Sequence, residues 1–500
     1  MKRYERLAAD VADSIHAGLL KPGERLPSVR QASAARGVSP STVFQAYYLL
    51  EAQGLVESRA RSGYYVTRVA ADQPPEPDAS SQPDGESRKV DISALVFEVL
   101  ESSMARDVVP FGSAFPSPLL YPLERLGRAV AATAVQLDPW STVDDLTPGN
   151  AELRRQIALR YLLGGMQVGA DEIVVTNGAL EALNLCIGAV TAPGDAVLVE
   201  SPCFYAILQI LQRKRLRAIE VPTHPRDGID LDAMEAAIAR HVPSACWLMS
   251  NFQNPLGSSM PTERRRALVE LLARHRIPLI EDDVYAELYF GRERPPPAKS
   301  FDREGLVMHC SSFSKSLAPG YRIGWVAAGR QARRIARDKL TTTLNTNVPA
   351  QLALARYLQR GGFDRHLRRL RATLATQQAA YLAAVARHFP RGTRVTRPSG
   401  GYFLWLELAA GSDALAIQQA AAAHGISIAP GPMFRPAATS ATACGSTAAT
   451  RWTRGQRRQW PRWGGWRGDP PARQAAARDR RRHIRRAKPA KSRFPNCVTT

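Results

Sequence analysis

The sequence predicts an α/β body, with a large and mostly parallel sheet and a smaller companion domain, preceded by a small α+β head. Three observations carry this. Five apolar runs rich in β-branched residues are each followed by a polar cluster, as when strands of a parallel sheet feed loops at their carboxyl ends. The first seventy residues hold three closely spaced helix signals and then a strand-like alternation. Between the two parts, residues 68–90 carry Pro74, Pro75, Pro77, Ser80, Ser81, Pro83 and Gly85 with scarcely an apolar side chain. Such a stretch buries too little to fold, which makes it a flexible tether able to span tens of ångströms.

In the head, Leu7, Val11 and Ile15 recur every four residues and predict an amphipathic helix, ended by the run from Gly18 to Gly23. Ser28 and Gln31 have capping-box spacing and start a second helix toward Ala35. Gly37-Val38 makes a tight turn, after which Ser39 as cap and Pro40 at the first helical position start a third helix reaching about Gln53. Two short helices joined by a glycine-containing turn suggest a helix-turn-helix. On the third helix Val43, Ala46, Tyr47 and Leu50 share an inward face, which leaves Ser41, Thr42 and Gln45 outside, where a recognition helix meets bases. Alternation through Leu55, Val56 and Tyr64-Tyr65-Val66 reads as a two-stranded wing, with Arg59, Arg61, Ser62 and Gly63 about its tip. Arg30 heads the second helix, within reach of a backbone phosphate or a guanine edge. The plainer alternative is a small helical module that binds protein through a solvated polar face.

In the body the runs and clusters pair in order. Ile173-Val174-Val175 leads to Thr176-Asn177-Gly178-Ala179, and Ala196 to Val199 leads to Ser201-Pro202-Cys203-Phe204-Tyr205. Cys246 to Met249 leads to Asn251-Phe252-Gln253-Asn254-Pro255, and Leu279-Ile280 leads to Glu281-Asp282-Asp283-Val284-Tyr285. Leu306-Val307-Met308 delivers Ser311-Ser312-Phe313-Ser314-Lys315-Ser316, with Arg322 seven residues past the lysine. A lysine amine joins an aldehyde cofactor covalently, and hydroxyls with an arginine can hold its phosphate, which suits pyridoxal 5′-phosphate better than a nucleotide. Gly178 opens a helix over 179–190, so the N–H groups of Ala179 and Leu180 can receive that phosphate. Phe204 offers a face to stack on a pyridine ring, Asp282 can keep the ring nitrogen protonated, and Asn254 and Tyr285 can hydrogen-bond the phenolic oxygen. Each also has an ordinary reading, as core aromatic, helix cap, turn former or packing tyrosine.

On these residues, positions 110 to 434 resemble the class I/II branch of the fold-type I aminotransferases. The resemblance implies Lys315 as the catalytic, cofactor-bound lysine. It places Asp282 under the pyridine nitrogen, Asn254 and Tyr285 at the phenolic oxygen, and Phe204 as the stacking ring. The phosphate falls to Ala179, Leu180, Ser312, Ser314 and Arg322. Pro148 to Arg154 is similar to the family's entry into its first large-domain helix, but Asp144, Asp145 and Leu146 stand where many relatives carry a tyrosine that reaches the partner subunit's cofactor.

The run Leu26-Pro27-Ser28-Val29-Arg30, with Gly37-Val38-Ser39 and Gly54-Leu55-Val56, resembles the winged helix of GntR-type regulators, with Pro40 where relatives often have arginine. A GntR-type head on an aminotransferase-like body is similar to the plan of the MocR-type (GabR/PdxR-like) transcriptional regulators. That resemblance implies operator DNA, an amino acid or amine effector and a head-to-tail homodimer. Two functional classes follow: a pyridoxal-phosphate-responsive regulator, and a working aminotransferase with an attached DNA-binding head. The domains expected are 1–67 for the winged helix, 68–90 for the tether, 91–434 for the body and 435–500 for a basic tail.

The composition fits a multidomain globular protein, with 45% hydrophobic residues and no membrane-length apolar run. The start has no apolar signal core, and six scattered cysteines without metal spacing fit a reducing cytoplasm; no metal site is expected. The net charge of +22 looks like a nucleic-acid signal, yet residues 435–500 hold 17 Lys/Arg against 2 Asp, so only +7 belongs to the first 434. The tail also carries Trp452, Trp460, Trp463 and Trp466 with no helical or strand period. Three readings stand: a disordered basic arm that binds phosphates without regard to sequence, a solvated appendage, or a reading-frame slip, the one preferred. The family resemblance stops at Phe434, and Cys444-Gly445-Ser446-Thr447 read one base out of register can give the family's Leu-Arg-Leu-Asn type of strand. A slip there would remove the arginine that in relatives pairs with the substrate carboxylate. Cofactor loading would survive it, while amino-acid recognition would weaken.

Overall fold

Ser28 starts its helix by the two reciprocal bonds that its spacing implied: its Oγ accepts from the Gln31 N–H at 3.3 Å, and Gln31 Oε1 accepts from the Ser28 N–H at 2.9 Å. In the computed structural model the described residues are 3–16, 19–52, 55–59, 62–67, 74–78, 81–102, 108–141, 148–409, 411–436 and 443–447. The head comprises α1 (Arg3–His16), α2 (Val29–Arg36), α3 (Pro40–Ala52) and the antiparallel pair β1 (Val56–Arg59) and β2 (Gly63–Val66). Gly37 closes α2 at φ 61°, a conformation cheap only for glycine. Val43, Ala46, Tyr47 and Leu50 of α3 bury their stripe against Leu7 and Ile15 of α1 and Val56 and Val66 of the wing. Each buried Val, Leu or Ile among them contributes about 2 kcal/mol.

The stretch 68–90 is not a free tether where it is described. Pro75 O accepts from the Val395 N–H at 3.0 Å, Arg397 donates to Pro74 O at 2.7 Å, and Ser81 Oγ accepts from the Thr223 N–H at 3.2 Å. Residues Ser87–Lys89 then form β3 on the edge of the main sheet. Composition reports only side-chain burial, whereas this stretch is held by polar bonds of its main chain and of Ser81 and by β3 completing a sheet edge.

The remaining strands are β4 (Val109–Pro110), β5 (Ile173–Thr176), β6 (Ala196–Ser201), β7 (Arg217–His224), β8 (Gly228–Ile229), β9 (Ala245–Leu248), β10 (Leu279–Asp282), β11 (Val307–Ser312), β12 (Gly324–Ala327), β13 (Arg394–Val395), β14 (Phe403–Glu407), β15 (Ile426–Ser427), β16 (Ala429–Pro430) and β17 (Ala443–Thr447). The main sheet runs β3-β7-β6-β9-β10-β11-β12-β5, with β8 beside β7. From β7 to β11 every neighbour is parallel, whereas β12 is antiparallel to both β11 and β5. Strands β9, β10 and β11 are buried along their whole length, as expected where layers cover both faces. The five predicted runs are β5, β6, β9, β10 and β11; β3, β7, β8 and β12 were not anticipated.

Helices of the body that flank the site and the smaller sheet include α4 (Ala151–Leu163), α5 (Ala179–Val190), α6 (Gly362–His388) and α7 (Ala414–Ala422). That smaller sheet, β13-β14-β17-β16, packs Val395, Leu404 and Leu406 against Tyr381 and Val385 of α6 and Ile417 of α7. Strand β17 corrects the boundary expected at 434. Ala443–Thr447 pairs with β14 and β16 inside the small domain, so the body continues at least to Thr447. Polar, small residues gave no strand pattern there; pairing on both sides supplies it. Residues 448–500, and the readings offered for them, lie outside the described residues. The head rests with α3 against α6 of the same chain. No described helix is long and apolar enough to cross a membrane.

Candidate functional site

The loops at the carboxyl ends of β5, β10 and β11 converge because their strands are brought to the same edge of one sheet. Gly178 caps α5 at φ 80°, and a Cβ there would lie 2.3 Å from Arg322 Nη2. Arg322 itself is left-handed (φ 54°), donating to Ser314 Oγ at 3.4 Å and to Asn177 O at 3.3 Å. Ser312 Oγ accepts from the Ser314 N–H at 3.3 Å, and Gly324 lies so close to α5 that a Cβ would meet Ala179 N at 2.7 Å. Ala179 and Leu180 stand in the first turn of α5, whose N–H groups have no intrahelical partner. A guanidinium, two hydroxyls and a helix N-terminus thus meet around a backbone that tolerates no side chain, the composition of a phosphate cradle.

Asp282 ends β10 fully buried, and its Oδ1 has no hydrogen-bond partner among the described residues. Burial, then repulsion from Asp283, pushes its carboxyl up to about 7. A buried carboxylate oxygen without a donor is rare, and a protonated ring nitrogen is a donor that would satisfy it. Asp283 beside it is fully engaged, accepting from His309 Nε2 at 2.9 Å and Asn251 Nδ2 at 3.0 Å, while His309 Nδ1 meets Tyr161 OH at 2.7 Å. Tyr285 is buried and hydrogen-bonded with Asn254 and Tyr402, and burial holds its hydroxyl well above the usual range. Phe204 is half-buried at the start of the helix over Tyr205–Arg213, its ring centroid 4.7 Å from that of Tyr205.

Lys315 follows β11, and its Nζ donates to Ala114 O at 2.8 Å beneath the ring of Phe115, whose centroid is 4.3 Å away. Burial pulls the amine down to about 8; Asp282 opposes this and Arg322 adds to it. At neutral pH a useful fraction is therefore the free base that attacks a carbonyl. The ten residues expected at a cofactor lie at or beyond the carboxyl ends of β5, β6, β9, β10 and β11. Four more at this site were not anticipated: Ala114, which accepts from Lys315 and from Tyr402 OH at 2.9 Å; Phe115; Tyr402; and Tyr121, whose hydroxyl donates to Lys315 O at 3.3 Å. The glycine pair before Tyr402 was the available signal, since a Cβ on Gly400 would lie 2.4 Å from Phe252. Asp144, Asp145 and Leu146 lie outside the described residues. Among those described, no group of three or more His, Cys, Asp or Glu is placed to hold a metal ion.

On the head, Arg30, Ser39, Ser41 and Gln45 are exposed, and Thr42 and the tip residues Ser62 and Gly63 are partly exposed. Ser39 Oγ lies 2.9 Å from Ser41 Oγ and 2.8 Å from Thr42 Oγ1, so the three hydroxyls form one polar cluster at the start of α3. Arg59 is paired with Glu57 and stacked on Tyr65, its Cζ 4.3 Å from the ring centroid. Arg61 lies outside the described residues. Phe44 and Tyr48 of α3 are about half exposed, an apolar element on the same helix that the pattern did not single out.

Residues 145–449 match the family model for aminotransferase class I and II, and residues 3–66 match that for bacterial regulatory proteins of the gntR family. Two proteins of Escherichia coli strain K12 are similar to the chain along most of its length. One is the uncharacterized HTH-type transcriptional regulator YdcR, 50% identical over 87% of this chain and 92% of its own. The other is the uncharacterized HTH-type transcriptional regulator YjiR, 39% identical over the same shares. Among solved structures, LysN, the α-aminoadipate aminotransferase of Thermus thermophilus complexed with N-(5′-phosphopyridoxyl)-L-leucine, superposes with a TM-score of 0.67 at 28% identity. It covers 73% of this chain and 95% of its own.

Proposed function

Because the chain belongs to the aminotransferase class I and II family and carries a gntR-family head, the build of MocR-type regulators, we propose that Lys315 and its neighbours hold pyridoxal phosphate to sense an amino acid or amine for the DNA-binding head. The observation that carries this reading is the orphaned, buried oxygen of Asp282 in a chain that begins with a helix-turn-helix. Pyridoxal phosphate, when bound, supplies an aldehyde that combines with amines and a ring that withdraws electrons from them.

The protein's own residues divide the work. Lys315 presents an amine that burial makes easier to deprotonate, and Asp282 would hold the proton of the ring nitrogen. Asn254 and Tyr285 offer hydrogen bonds to the phenolic oxygen, and Phe204 covers a ring face. The N–H groups of Ala179 and Leu180, with Ser312, Ser314 and Arg322, orient the phosphate. On the head, Ser39, Ser41, Thr42 and Gln45 face bases, Arg30 reaches a backbone phosphate or a guanine edge, and Arg59, Ser62 and Gly63 face the backbone. Without cofactor Lys315 Nζ rests on Ala114 O, at the wall shared with Tyr402, and an effector amine would compete with Lys315 for the cofactor's aldehyde. It can shift operator affinity only as far as it prefers one arrangement of the chain over another.

A homodimer belongs to the same reading. Phe115 (57% exposed), Leu119 (70%) and Leu180 (44%) are apolar side chains left open close to Lys315 and the cradle, where a second copy would cover them. We place the chain in the cytoplasm, with its DNA. The domains proposed are 1–67, the connecting stretch 68–90, a body from 91 to at least 447, and the remainder beyond it. An active aminotransferase keeps one observation in its favour, the lowered Lys315.

The test is binding of the cofactor-loaded chain to DNA upstream of its own gene, against scrambled DNA at near-physiological salt, with a panel of amino acids and amines. A strong preference that one ligand changes is the expected result. Equal, salt-sensitive binding to both DNAs, together with steady-state turnover of an amino acid and a keto acid, would replace the regulator by the enzyme.

A further inference from the structure

A cavity of about 810 Å³ lies where the head meets the body, apart from the cofactor residues. Tyr4, Glu5 and Leu49 of the head close one side. The other side carries Arg160, Arg292, Arg294, Arg368 and Arg371, with Glu287 and Asp364 as its carboxylates. Five guanidinium groups therefore face three carboxylates, Glu5 included.

The carboxylates of the body are already committed. Glu287 accepts from Arg160 at 3.0 Å and from Arg371 at 3.2 Å, and Arg160 reaches Asp364 at 3.1 Å. Arg294 is left with no hydrogen bond among the described residues. Its nearest acidic oxygens are Asp283 Oδ2 at 3.7 Å and Glu287 Oε1 at 3.8 Å, beyond hydrogen-bond reach, and its Nε is buried without a partner. Asp283 cannot turn to it, being held by His309 and Asn251. At the exposed rim, Arg292 and Arg368 make no hydrogen bond or ion pair among the described residues. Buried polar groups in folded proteins are paired almost without exception, and a guanidinium fork matches the oxygens of phosphate or carboxylate.

We propose that this cavity is a second ligand site, separate from that of the cofactor, for a small multiply charged anion bearing phosphate or carboxylate groups. Arg294 grips it from within, and Arg292 and Arg368 grip it at the rim. Its concavity favours a small molecule over a nucleic-acid backbone. Since Tyr4, Glu5 and Leu49 complete the wall only when the head is docked, the anion stabilises the docked arrangement, and the segment from Tyr285 to Arg294 joins this site to the cofactor's. That consequence rests on the reading of the head as DNA-binding; the site itself does not.

The experiment is calorimetric titration of the full chain, loaded with pyridoxal phosphate so that the cofactor's own phosphate cradle is filled. Sodium pyrophosphate and sodium citrate are the two probes, at fixed ionic strength against sodium chloride. Expected is saturable binding of one probe or both, one per chain, weakened about tenfold by Arg294→Gln and to a similar degree by Arg292→Ser with Arg368→Ser. The rim pair lies on the surface, so its effect stands even if Arg294→Gln fails to fold. The pyrophosphate and citrate arms tell phosphate from carboxylate recognition. Absence of saturable binding, or equal binding by the rim variant, would overturn the proposal and leave the cavity to water. A rim variant that loses DNA affinity while neither probe binds the parent would overturn it in favour of backbone contacts. Anion binding is read without DNA, so loss of operator recognition would strike the regulator reading alone.

Discussion

Burial acts in opposite senses on Asp282 and Lys315, and the pH dependence of the cofactor-free chain follows from the two signs. Asp282 rises from 3.8 to about 7, so between those values the folded state binds more protons than the unfolded and stability falls as pH rises. Lys315 drops from 10.5 to about 8, so between about 8 and 10.5 the unfolded state binds more protons and stability rises with pH. Asp282→Asn should abolish the first slope: urea midpoints of the cofactor-free variant should match wild type at pH 4 and exceed it at pH 7.5. Identical profiles would mean that burial does not penalise the carboxylate. Cofactor uptake needs the free amine, so its rate should climb with pH and level off above about 8. In Asp282→Asn the midpoint should move down, because the charge that favours the ammonium form is gone; stopped-flow absorbance on mixing with pyridoxal phosphate reads both.

At the scale of elements, the junction of β5 with α5 shows how a backbone constraint becomes a binding property. Gly178→Ala puts a methyl where the Arg322 guanidinium lies, at φ 80° and ψ 171°, a region almost reserved to glycine that costs a side chain on the order of 1–3 kcal/mol. The guanidinium is the end of a flexible chain and can swing away, so the fold should lose no more than that backbone strain. Cofactor affinity should drop about tenfold, because the phosphate loses a charge-assisted partner. Equilibrium titration with pyridoxal phosphate beside an unfolding curve separates the two effects; a large stability loss with normal affinity would contradict the assignment of Arg322. The head works by the same kind of local rule. Its caps at Ser28, Gly37 and Ser39 lie within four residues of what they satisfy, which is why they were readable in advance.

For the whole molecule, charge and fold part company. Only +7 of the +22 lies in the first 434 residues, and all but one of the remaining basic residues follow Thr447. Truncation after Thr447 should therefore flatten the salt dependence of binding to scrambled DNA and leave the preference for the operator intact, since nonspecific affinity scales with the number of phosphates neutralised. Affinity measured across a salt series on both DNAs checks this; loss of operator preference on truncation would make the tail part of the reader. Sedimentation of the loaded chain should give a dimer, and Leu119→Asp with Leu180→Asp should shift it toward monomer if those residues are covered by a second copy.

Much of the site was legible because its chemistry is local to strand ends. Each cluster follows its apolar run directly, so the residue types at the cofactor could be named before their strands were arranged. The same locality made the head's helices, turn and wing readable. Tertiary structure alone decided what depends on pairing across distance. It set β5, first of the five runs, at the far edge beside β12 rather than next to β6, and laid the residues after the Pro-rich stretch along the sheet as β3. It made Ala443–Thr447 a strand without any strand pattern, and it brought Ala114, Phe115, Tyr121 and Tyr402 to Lys315 from segments far apart in sequence. The head-to-body cavity belongs to the same class. A hydrogen-bonded edge accepts almost any backbone, and a packed wall any side chain of the right shape, so neither leaves a periodic signature in the residues that fill it.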